Sequence, residues 1–386
     1  MFSSFSRNEY LMHKSSLAFL LKKERLYFFF KKYIKTRNKS YVRYFSTGDV
    51  MSTKNILPSE RKREFVVKSD DFEITKYGLN PYERSANELI RLGVINVDKH
   101  PNPTSQEIVS YIKKIFTLRK AGHSGTLDPA VTGILPVALE DATKITDALL
   151  PAGKEYVCIM HLHEKVDDDK IHSVFKEFTS EIYQKPPVKS SVRRILRKRT
   201  IYYMDLLEIE DQDVLFKVGC EKGTYIRKIC HDMGLVLGTG GHMKELRRTK
   251  SGPFREDETL SSLIRIFDAY EIYKESKEEE ELRKVVFPME KGLTHLPKIV
   301  IRDNSIGAIC HGASLAVPGV LKIHDIIEKG TLVLLESLKG EAVALAKATM
   351  SYREILATNH GITARPSRVL MDRDVYPKTW KETTKK

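Results

Sequence analysis

A change in sequence pattern near Pro297 constrains the fold of this chain more than any other feature. Before it, apolar runs of strand length alternate with helical patterns. After it, short apolar runs are separated by glycines and prolines, and the runs span residues 299–301, 332–335, 342–346 and 369–371. Such spacing is typical of a small β-rich domain. Because 386 residues are enough for two or three hydrophobic cores, we predict a domain boundary near residue 295.

The positive charge is concentrated at the N-terminus. The whole chain carries +14, and residues 1–50 hold eleven Lys and Arg against three acids, which leaves +6 for the other 336 residues. A basic balance suits a polyanionic partner such as nucleic acid. We expect residues 1–60 to be a basic extension that is either disordered or the result of an incorrectly assigned translation start. Met51 as the true initiator is favoured over a targeting presequence, which would be Arg-rich and amphipathic; a native first residue upstream of Met51 would contradict it.

Several functional classes lack their sequence signatures. The four cysteines form no C-x-x-C pair and are expected to be free thiols. The glycine-rich stretch that begins at Gly238 has Met243 where a dinucleotide fingerprint needs its last glycine, and no phosphate-binding loop of the Walker type occurs. The longest apolar stretch is far below 18 residues, so we expect no membrane span.

Local patterns predict the elements around the candidate site. Thr104 and Glu107 have the spacing of a capping box that opens a helix, and its apolar face comprises Ile108, Val109, Ile112, Ile115 and Phe116. Residues 156–162 form an apolar run of strand length. Alternating apolar residues at 214–220 predict a half-buried strand, followed by a turn at Gly223 and a helix over about 224–237. The charged run 275–284 is interpreted as one solvated helix face.

Three segments carry candidate functional groups. Asp128 lies in a glycine-rich loop, residues 121–132; a structural Asp-Pro turn is the commoner explanation, and a catalytic carboxylate on a rigid loop is the alternative. Arg227 falls in the first turn of a predicted helix, where the helix dipole does not favour a cation, so we expect a carboxylate partner unless it is a surface residue. Residues 246–252 read as a basic turn, either solvated or in contact with phosphate.

The order of these motifs resembles one family. GHSGTLDP at 122–129, KEY at 154–156, GTYIRK at 223–228 and LRRTKSG at 246–252 are similar to the TruB/dyskerin branch of RNA pseudouridine synthases, over roughly residues 60–380. Within it, the segments 150–158, 183–187, 295–298, 309–319 and 371–380 are most similar to archaeal dyskerin-type proteins. The resemblance implies an α+β fold: a catalytic domain with a mixed, mostly antiparallel sheet at 61–295, a small β-barrel PUA domain at 296–373, and a tail at 374–386.

The resemblance also assigns roles to individual residues. It makes Asp128 the nucleophile, Arg227 its ion-pair partner and Tyr156 the residue that stacks on the base and is a candidate for the proton transfer at C5. Losing Arg227 would then leave a partly buried charge unpaired, at a cost of about 3–5 kcal/mol. The resemblance places four further residues at the substrate: His123, Tyr225, Leu246 and Arg247. The reaction trades a C–N for a C–C glycosidic bond without a net change in composition, so no metal, nucleotide or redox cofactor is implied.

The substrate is left open between two RNAs. Stand-alone bacterial members of the family act on the T-loop uridine of tRNA and carry a longer insertion after the Tyr156 strand; here residues 162–175 are short. That favours a guide-dependent enzyme acting on rRNA and also on tRNA, with an H/ACA guide RNA, three small accessory proteins and no membrane. A stand-alone tRNA synthase and a non-catalytic RNA scaffold remain alternatives, although a scaffold would not need Asp128, Tyr156 and Arg227 together. We expect the protein in the cytoplasm if archaeal and in the nucleolus if eukaryotic.

Overall fold

The computed structural model describes residues 56–186 and 193–378. Our expectations for residues 1–50, for a start at Met51 and for most of the 374–386 tail lie outside the described residues. So do Pro187 and Trp380, each of which belongs to a segment quoted for the family resemblance.

Strands and helices alternate up to residue 293, and strands dominate after it. The strands are β1 (Phe65–Val67), β2 (Gly93–Lys99), β3 (Ala121–His123), β4 (Thr132–Leu139), β5 (Lys154–Leu162), β6 (Glu181–Gln184), β7 (Arg197–Glu210), β8 (Asp213–Cys220), β9 (Gly241–Ser251), β10 (Phe254–Arg255), β11 (Leu260–Ser261), β12 (Phe287–Pro288), β13 (Lys298–Ile301), β14 (Leu315–Ala316), β15 (Val320–His324), β16 (Leu332–Glu336), β17 (Ala342–Ala348) and β18 (Ile362–Val369). The α-helices are α1 (Ala86–Arg91), α2 (Ser105–Phe116), α3 (Thr146–Leu149), α4 (Asp168–Phe178), α5 (Ile226–Val236), α6 (Leu263–Ser276), α7 (Glu280–Val285), α8 (Met289–Leu293), α9 (Asp303–Cys310) and α10 (Tyr352–Ala357).

The first sheet forms the framework of the larger domain. Its strand order is β11-β2-β4-β9-β5-β8-β7-β6, with β3 and β12 paired at its sides and β10 folded back on β9. Only β11 with β2 and β4 with β9 run parallel among its described pairings. The predicted α+β class with a mixed, mostly antiparallel sheet is therefore confirmed. The sheet centre, β5 between β8 and β9, carries Tyr156.

Local sequence signals explain the elements next to this centre. Thr104 caps α2 and Glu107 bonds back to it, as the capping-box spacing predicts. The predicted apolar face of α2 is buried, except that Ile115 is only partly so. The alternating residues of β8 lie in the core, and the helix that follows begins at Ile226, close to the predicted position. The four cysteines are buried free thiols, as expected.

Two local expectations were wrong. Residues 246–251 are not a turn but the second half of β9, because their backbone is hydrogen-bonded between β5 and β4. The charged run 275–284 is not one solvated helix face, since α6 ends at Ser276, Lys277 adopts a left-handed conformation, and α7 begins at Glu280. Leu282 explains the second helix, because its side chain is fully buried against the core.

The second sheet contains the C-terminal strands in the order β1-β15-β13-β16-β17-β18-β14. Its core includes Ile299, Ile323, Leu335 and Val343 and is closed by Tyr376. The change in texture near Pro297 thus coincides with the passage to a new sheet at Lys298. β1 also belongs to this sheet, pairing with β15, although the sequence analysis placed its residues in the catalytic domain.

The two sheets are joined by a buried interface. Apolar residues from both, including Ile134 and Leu293 from one side and Leu334 and Leu345 from the other, form one cluster. A buried ion pair lies nearby: both terminal nitrogens of the Arg84 guanidinium, Nη1 and Nη2, donate to Glu290 at 2.8 Å. Within residues 56–186 and 193–378, no helix is long and apolar enough to cross a membrane.

Candidate active site

Asp128 lies in the loop between β3 and β4, and the backbone on both sides of it is anchored from below. The Leu127 N–H donates to the Ser105 hydroxyl at 2.8 Å, and that hydroxyl donates to the Leu127 carbonyl at 3.1 Å. Leu127 and Val131 are buried in the same core as Tyr156. The Asp128 carboxylate itself remains 53% exposed. The loop is therefore fixed through its backbone while the carboxylate points outward.

Lys99 holds the second half of this loop. Its side chain is fully buried, and its ammonium donates to the carbonyls of His100, Pro129 and Val131 at 2.8–3.0 Å. Burial lowers the pKa of Lys99 to about 8, and the Arg248 charge acts in the same direction. Sequence reasoning missed Lys99, since a single lysine at the end of an apolar strand carries no distinctive signal.

Arg227 makes the one direct contact to the carboxylate that is seen among the described residues. It lies in the first turn of α5, its guanidinium contacts Asp128 Oδ2, and its side chain is also 53% exposed. The predicted carboxylate partner of Arg227 is therefore Asp128. At this exposure the pair has the energetics of a surface ion pair, about 0–1 kcal/mol, in the RNA-free chain. The larger figure given above for a buried pair does not apply to the free chain.

Tyr156 and Arg248 form the floor of the site. They are register partners on β5 and β9, and the Arg248 guanidinium lies close enough to the Tyr156 hydroxyl to influence its pKa. Burial raises the pKa of Tyr156, with Arg248 opposing the shift, so the phenol is protonated at neutral pH. Arg248 is fully buried, and it also donates to the carbonyls of Ile134 at 2.7 Å and Gly125 at 3.2 Å. Arg248 thereby connects Tyr156 to the loop that carries Asp128.

The close approach of two strands at this floor requires a glycine. Gly133 is the register partner of Arg248 where β4 runs beside β9, and it adopts a φ of +101°. A Cβ at this position would lie 2.2 Å from the carbonyl oxygen of Arg248. Only glycine fits, because the position combines a left-handed conformation with backbone contact.

Arg247 takes a different place from its neighbour. Its guanidinium donates to both carboxylate oxygens of Asp98, at 3.0 and 3.2 Å, and to Glu256. Successive residues of a strand face opposite sides, so Arg247 and Arg248 cannot both face Tyr156. The alternation of side chains along a strand could have identified Arg248 as the residue that faces Tyr156. Because residues 246–252 were expected to form a turn, this alternation was not applied to them.

The other predicted pocket residues lie on three separate elements. Tyr225 caps α5, and its backbone N–H and carbonyl are both hydrogen-bonded to the side chain of Gln184. Leu246 is partly buried on β9 and packs on the core that contains Tyr156. His123 ends β3; burial and the Arg248 charge lower its pKa, so the imidazole is neutral at pH 7.

Lys154 is a second buried lysine near the site, to which the sequence analysis gave no role. Its ammonium donates to the carbonyls of Leu149 and Leu150 at 3.3 and 2.9 Å. Burial, followed by the charge of Arg248, lowers its pKa to about 7. A Cβ at Gly125 would lie 3.7 Å from both Lys154 and Arg248, so these two side chains lie directly beneath the loop.

Comparisons with known proteins agree with this geometry. The model described as "TruB family pseudouridylate synthase (N terminal domain)" matches residues 113–226, and "tRNA pseudouridylate synthase B C-terminal domain" matches residues 227–294. A protein of Thermococcus kodakarensis named "Probable tRNA pseudouridine synthase B" is 55% identical over 330 residues, which are 85% of this chain and 98% of the relative. The chain belongs to the TruB family of pseudouridine synthases. It is thus an isomerase that acts on uridine in RNA.

Two further family models match the regions before and after these segments. A PUA domain model matches residues 297–370, and a DKCLD domain model matches residues 55–109. The Methanopyrus kandleri relative of the same printed name is 54% identical over 324 residues, which are 84% of this chain and 96% of the relative. The catalytic domain followed by a PUA domain, expected from the resemblance, is confirmed.

Two solved structures have the same fold. One is titled "Structure of H/ACA RNP bound to a substrate RNA containing 2'-deoxyuridine"; the TM-score is 0.80 at 52% identity, covering 84% of this chain and 100% of that chain. The other is titled "Crystal Structure of a Cbf5-Nop10-Gar1 Complex"; the TM-score is 0.82 at 53% identity, covering 85% of this chain and 100% of that chain.

Proposed function

We propose that this synthase is guided to uridines in rRNA by an H/ACA RNA and also modifies the T-loop uridine of tRNA. The observation that carries the proposal is the structural likeness to a chain solved in an H/ACA particle with substrate RNA, which is matched over the whole of its length. The connection from β5 to α4, residues 163–167, supports it. So short a connection leaves little material to grip an RNA without a guide.

Asp128 is proposed as the nucleophile that detaches uracil from its ribose. The base is then turned and rejoined through C5, and the C5 proton is removed. Arg227 keeps the carboxylate ionised once the flipped base has displaced water from it. Tyr156 stacks on the base, which recovers about 1–3 kcal/mol of the cost of flipping, and its hydroxyl is our candidate for the proton transfer. Its raised pKa means that the phenol needs a base or water to accept its own proton first.

The pocket residues receive supporting roles. His123, Tyr225 and Leu246 are proposed to contact the flipped nucleotide, and the neutral imidazole of His123 suits a hydrogen bond rather than an ionic contact. Arg247 is proposed to act through the framework, because its guanidinium is already bound by Asp98 and Glu256. Arg248 takes the place at the floor of the pocket.

The domains divide the work between chemistry and RNA placement. Residues 61–295 are proposed as the catalytic domain and 296–373 as the PUA domain, with β1 contributed to the PUA sheet by the N-terminal segment. The PUA domain would hold the 3′ ACA end of the guide. Small accessory proteins of the kinds named Nop10 and Gar1 in the related structure are the proposed partners. We propose a cytoplasmic location, as the named relatives are archaeal.

The deciding experiment is tritium release from RNA labelled at C5 of uridine. The purified chain is given a tRNA transcript alone, and separately an rRNA fragment with and without guide RNA and accessory proteins. We expect rRNA turnover only with the guide, and Asp128→Ala should abolish all release. Release from the rRNA fragment without a guide would contradict guide dependence.

A stand-alone tRNA synthase is the second candidate, favoured by the printed names of the relatives. Efficient release from tRNA alone, together with none from guided rRNA, would make it primary. No release from either substrate, with all accessory proteins present, would favour a non-catalytic RNA scaffold.

A further inference from the structure

Three histidines lie in a row at the end of the sheet remote from Asp128. His161 on β5 is the register partner of His242 on β9, and His163 follows two residues after His161. The ring centroids of His161 and His163 each lie 5.3 Å from that of His242. The seven-residue separation of Tyr156 and His163 along β5 amounts to roughly 20 Å, so this row is not part of the uridine site.

Two of these rings present nitrogens at a chelating separation. His163 Nε2 and His242 Nδ1 are 3.1 Å apart, and both residues are exposed. Zinc–imidazole bonds of about 2.0–2.1 Å place two ligand nitrogens about 3.3 Å apart in a tetrahedral site and about 2.9 Å apart at a right angle. The observed distance lies between these values. A metal ion bound to both nitrogens would therefore take the place of the hydrogen bond between the rings, once each ring has turned to point its lone pair at the ion.

The backbone makes room for this arrangement. The His163 N–H is hydrogen-bonded to the Gly240 carbonyl at 3.3 Å. Gly240 has a φ of +73°, and a Cβ there would lie 2.9 Å from His163 Nδ1. A side chain at position 240 would push the His163 ring away from His242.

A carboxylate lies beside this row of histidines. Asp213 offsets the nearby positive charge, because it binds Lys244 at 2.6 Å and His161 Nδ1 at 2.7 Å.

We propose that His163 and His242 form a two-nitrogen chelate for a divalent ion of the borderline class, such as Zn²⁺ or Cu²⁺, with water completing the coordination. Among the described residues, no three such side chains converge on one point. The proposed ion is therefore held by two protein ligands and exchanges with solvent. His161 is a neighbour that donates to Asp213 and is not a ligand.

The test uses the full chain without an affinity tag and adds Zn²⁺ or Cu²⁺ alone. Calorimetry should detect binding of the ion to the wild type. His163→Gln and His242→Gln should each bind it at least about 10-fold more weakly than the wild type does. The Cu²⁺ spectrum by electron paramagnetic resonance should show two imidazole nitrogens in the wild type and one in either variant. Zn²⁺ should also raise the Tm of the wild type and not of the variants.

Matched controls separate a chelate from general histidine binding. His172 is an exposed histidine on α4, and His172→Gln should bind the ion like the wild type. His161→Gln should weaken binding less than about threefold; a loss as large as that of His163→Gln would overturn the two-ligand assignment. Unchanged affinity in His163→Gln and His242→Gln, or no binding by the wild type, would refute the site. All these readouts are independent of uridine isomerisation.

Discussion

Replacing Arg227 by methionine separates the two contributions that its contact with Asp128 can make. Both side chains are 53% exposed, so the pair contributes about 0–1 kcal/mol to the free energy of unfolding in the RNA-free chain. Methionine keeps an unbranched stem of similar length. We therefore expect Arg227→Met to fold normally, with a Tm within about 3 °C of the wild type.

The effect on the reaction should be much larger. When the flipped base covers the pair, water is lost, and an unpaired Asp128 carboxylate costs about 3–5 kcal/mol. At 1.36 kcal/mol per decade, this cost corresponds to a fall of about 10²- to 10⁴-fold in the rate of isomerisation. The measurement is single-turnover tritium release at saturating RNA, because saturation removes the effect of weaker binding.

Arg247→Met is the matched control. The Arg247 side chain is only 20% exposed and is bound by two carboxylates, Asp98 and Glu256. Its loss leaves both acids unpaired in a partly enclosed place, so we expect about 2–4 kcal/mol of destabilisation. Arg227→Met should thus lose mainly rate, and Arg247→Met should lose mainly stability. Tritium release measures the first quantity and calorimetric unfolding the second.

Either of two results would refute this reasoning. If the free energy of unfolding of Arg227→Met were lower than that of the wild type by more than about 2 kcal/mol, the pair would be a structural contact even without RNA. If its single-turnover rate stayed within about tenfold of the wild type, the pair would not be desolvated in the reacting complex.

Three further predictions concern the groups beneath the site and the domain interface. Lys99→Met should lose about 2–4 kcal/mol in urea unfolding and also lower the rate, since its bond to His100 and its two bonds to the loop of Asp128 disappear; an unchanged rate would show that the loop keeps its conformation without Lys99. Burial raises the pKa of Glu155, but Lys250 and two hydroxyl donors outweigh burial and lower the pKa overall. Glu155→Gln should therefore be less stable than the wild type at pH 7. The difference should shrink as the pH falls through the pKa of Glu155 in the folded chain. Burial holds the pKa of His324 at about 4, so between pH 6.5 and 4 the unfolded chain binds a proton that the folded chain does not. The free energy of unfolding therefore decreases as the pH is lowered through this range. In His324→Gln, this decrease should be smaller by up to about 3 kcal/mol.

Much of the framework around the site could be predicted from local sequence. The capping box at Thr104 and the alternation in 214–220 are short-range signals, and the structure places α2 and β8 accordingly. The contact between Asp128 and Arg227 joins residues 99 positions apart, and no local pattern encodes it. It was reached because a cation at a helix N-terminus needs a partner and because the resemblance supplied one.

The remaining features could not be read from sequence for a common physical reason. Arg248, Lys99 and Lys154 are polar residues at buried positions, and hydropathy patterns assign such residues to the surface. Their burial is possible because each finds backbone carbonyls to bind. For Arg248, and for two of the three bonds of Lys99, those carbonyls come from distant segments, whereas Lys154 binds the nearby carbonyls of Leu149 and Leu150. β1 is a similar case, since three residues pair with a strand more than 250 positions away.

The choice of carbonyls rather than carboxylates as partners has a consequence for the site. A buried cation that is neutralised by an acid projects little field, whereas one that is solvated by carbonyl dipoles keeps most of its charge effective over a few ångströms. Lys99 is of the second kind, and the Asp128 charge acts on it in return. Lys99 thus holds the loop in place and also favours an anion above it. Because Lys99 binds backbone atoms, the Asp128 carboxylate can leave Arg227 for the proposed attack on the sugar without loosening its own support.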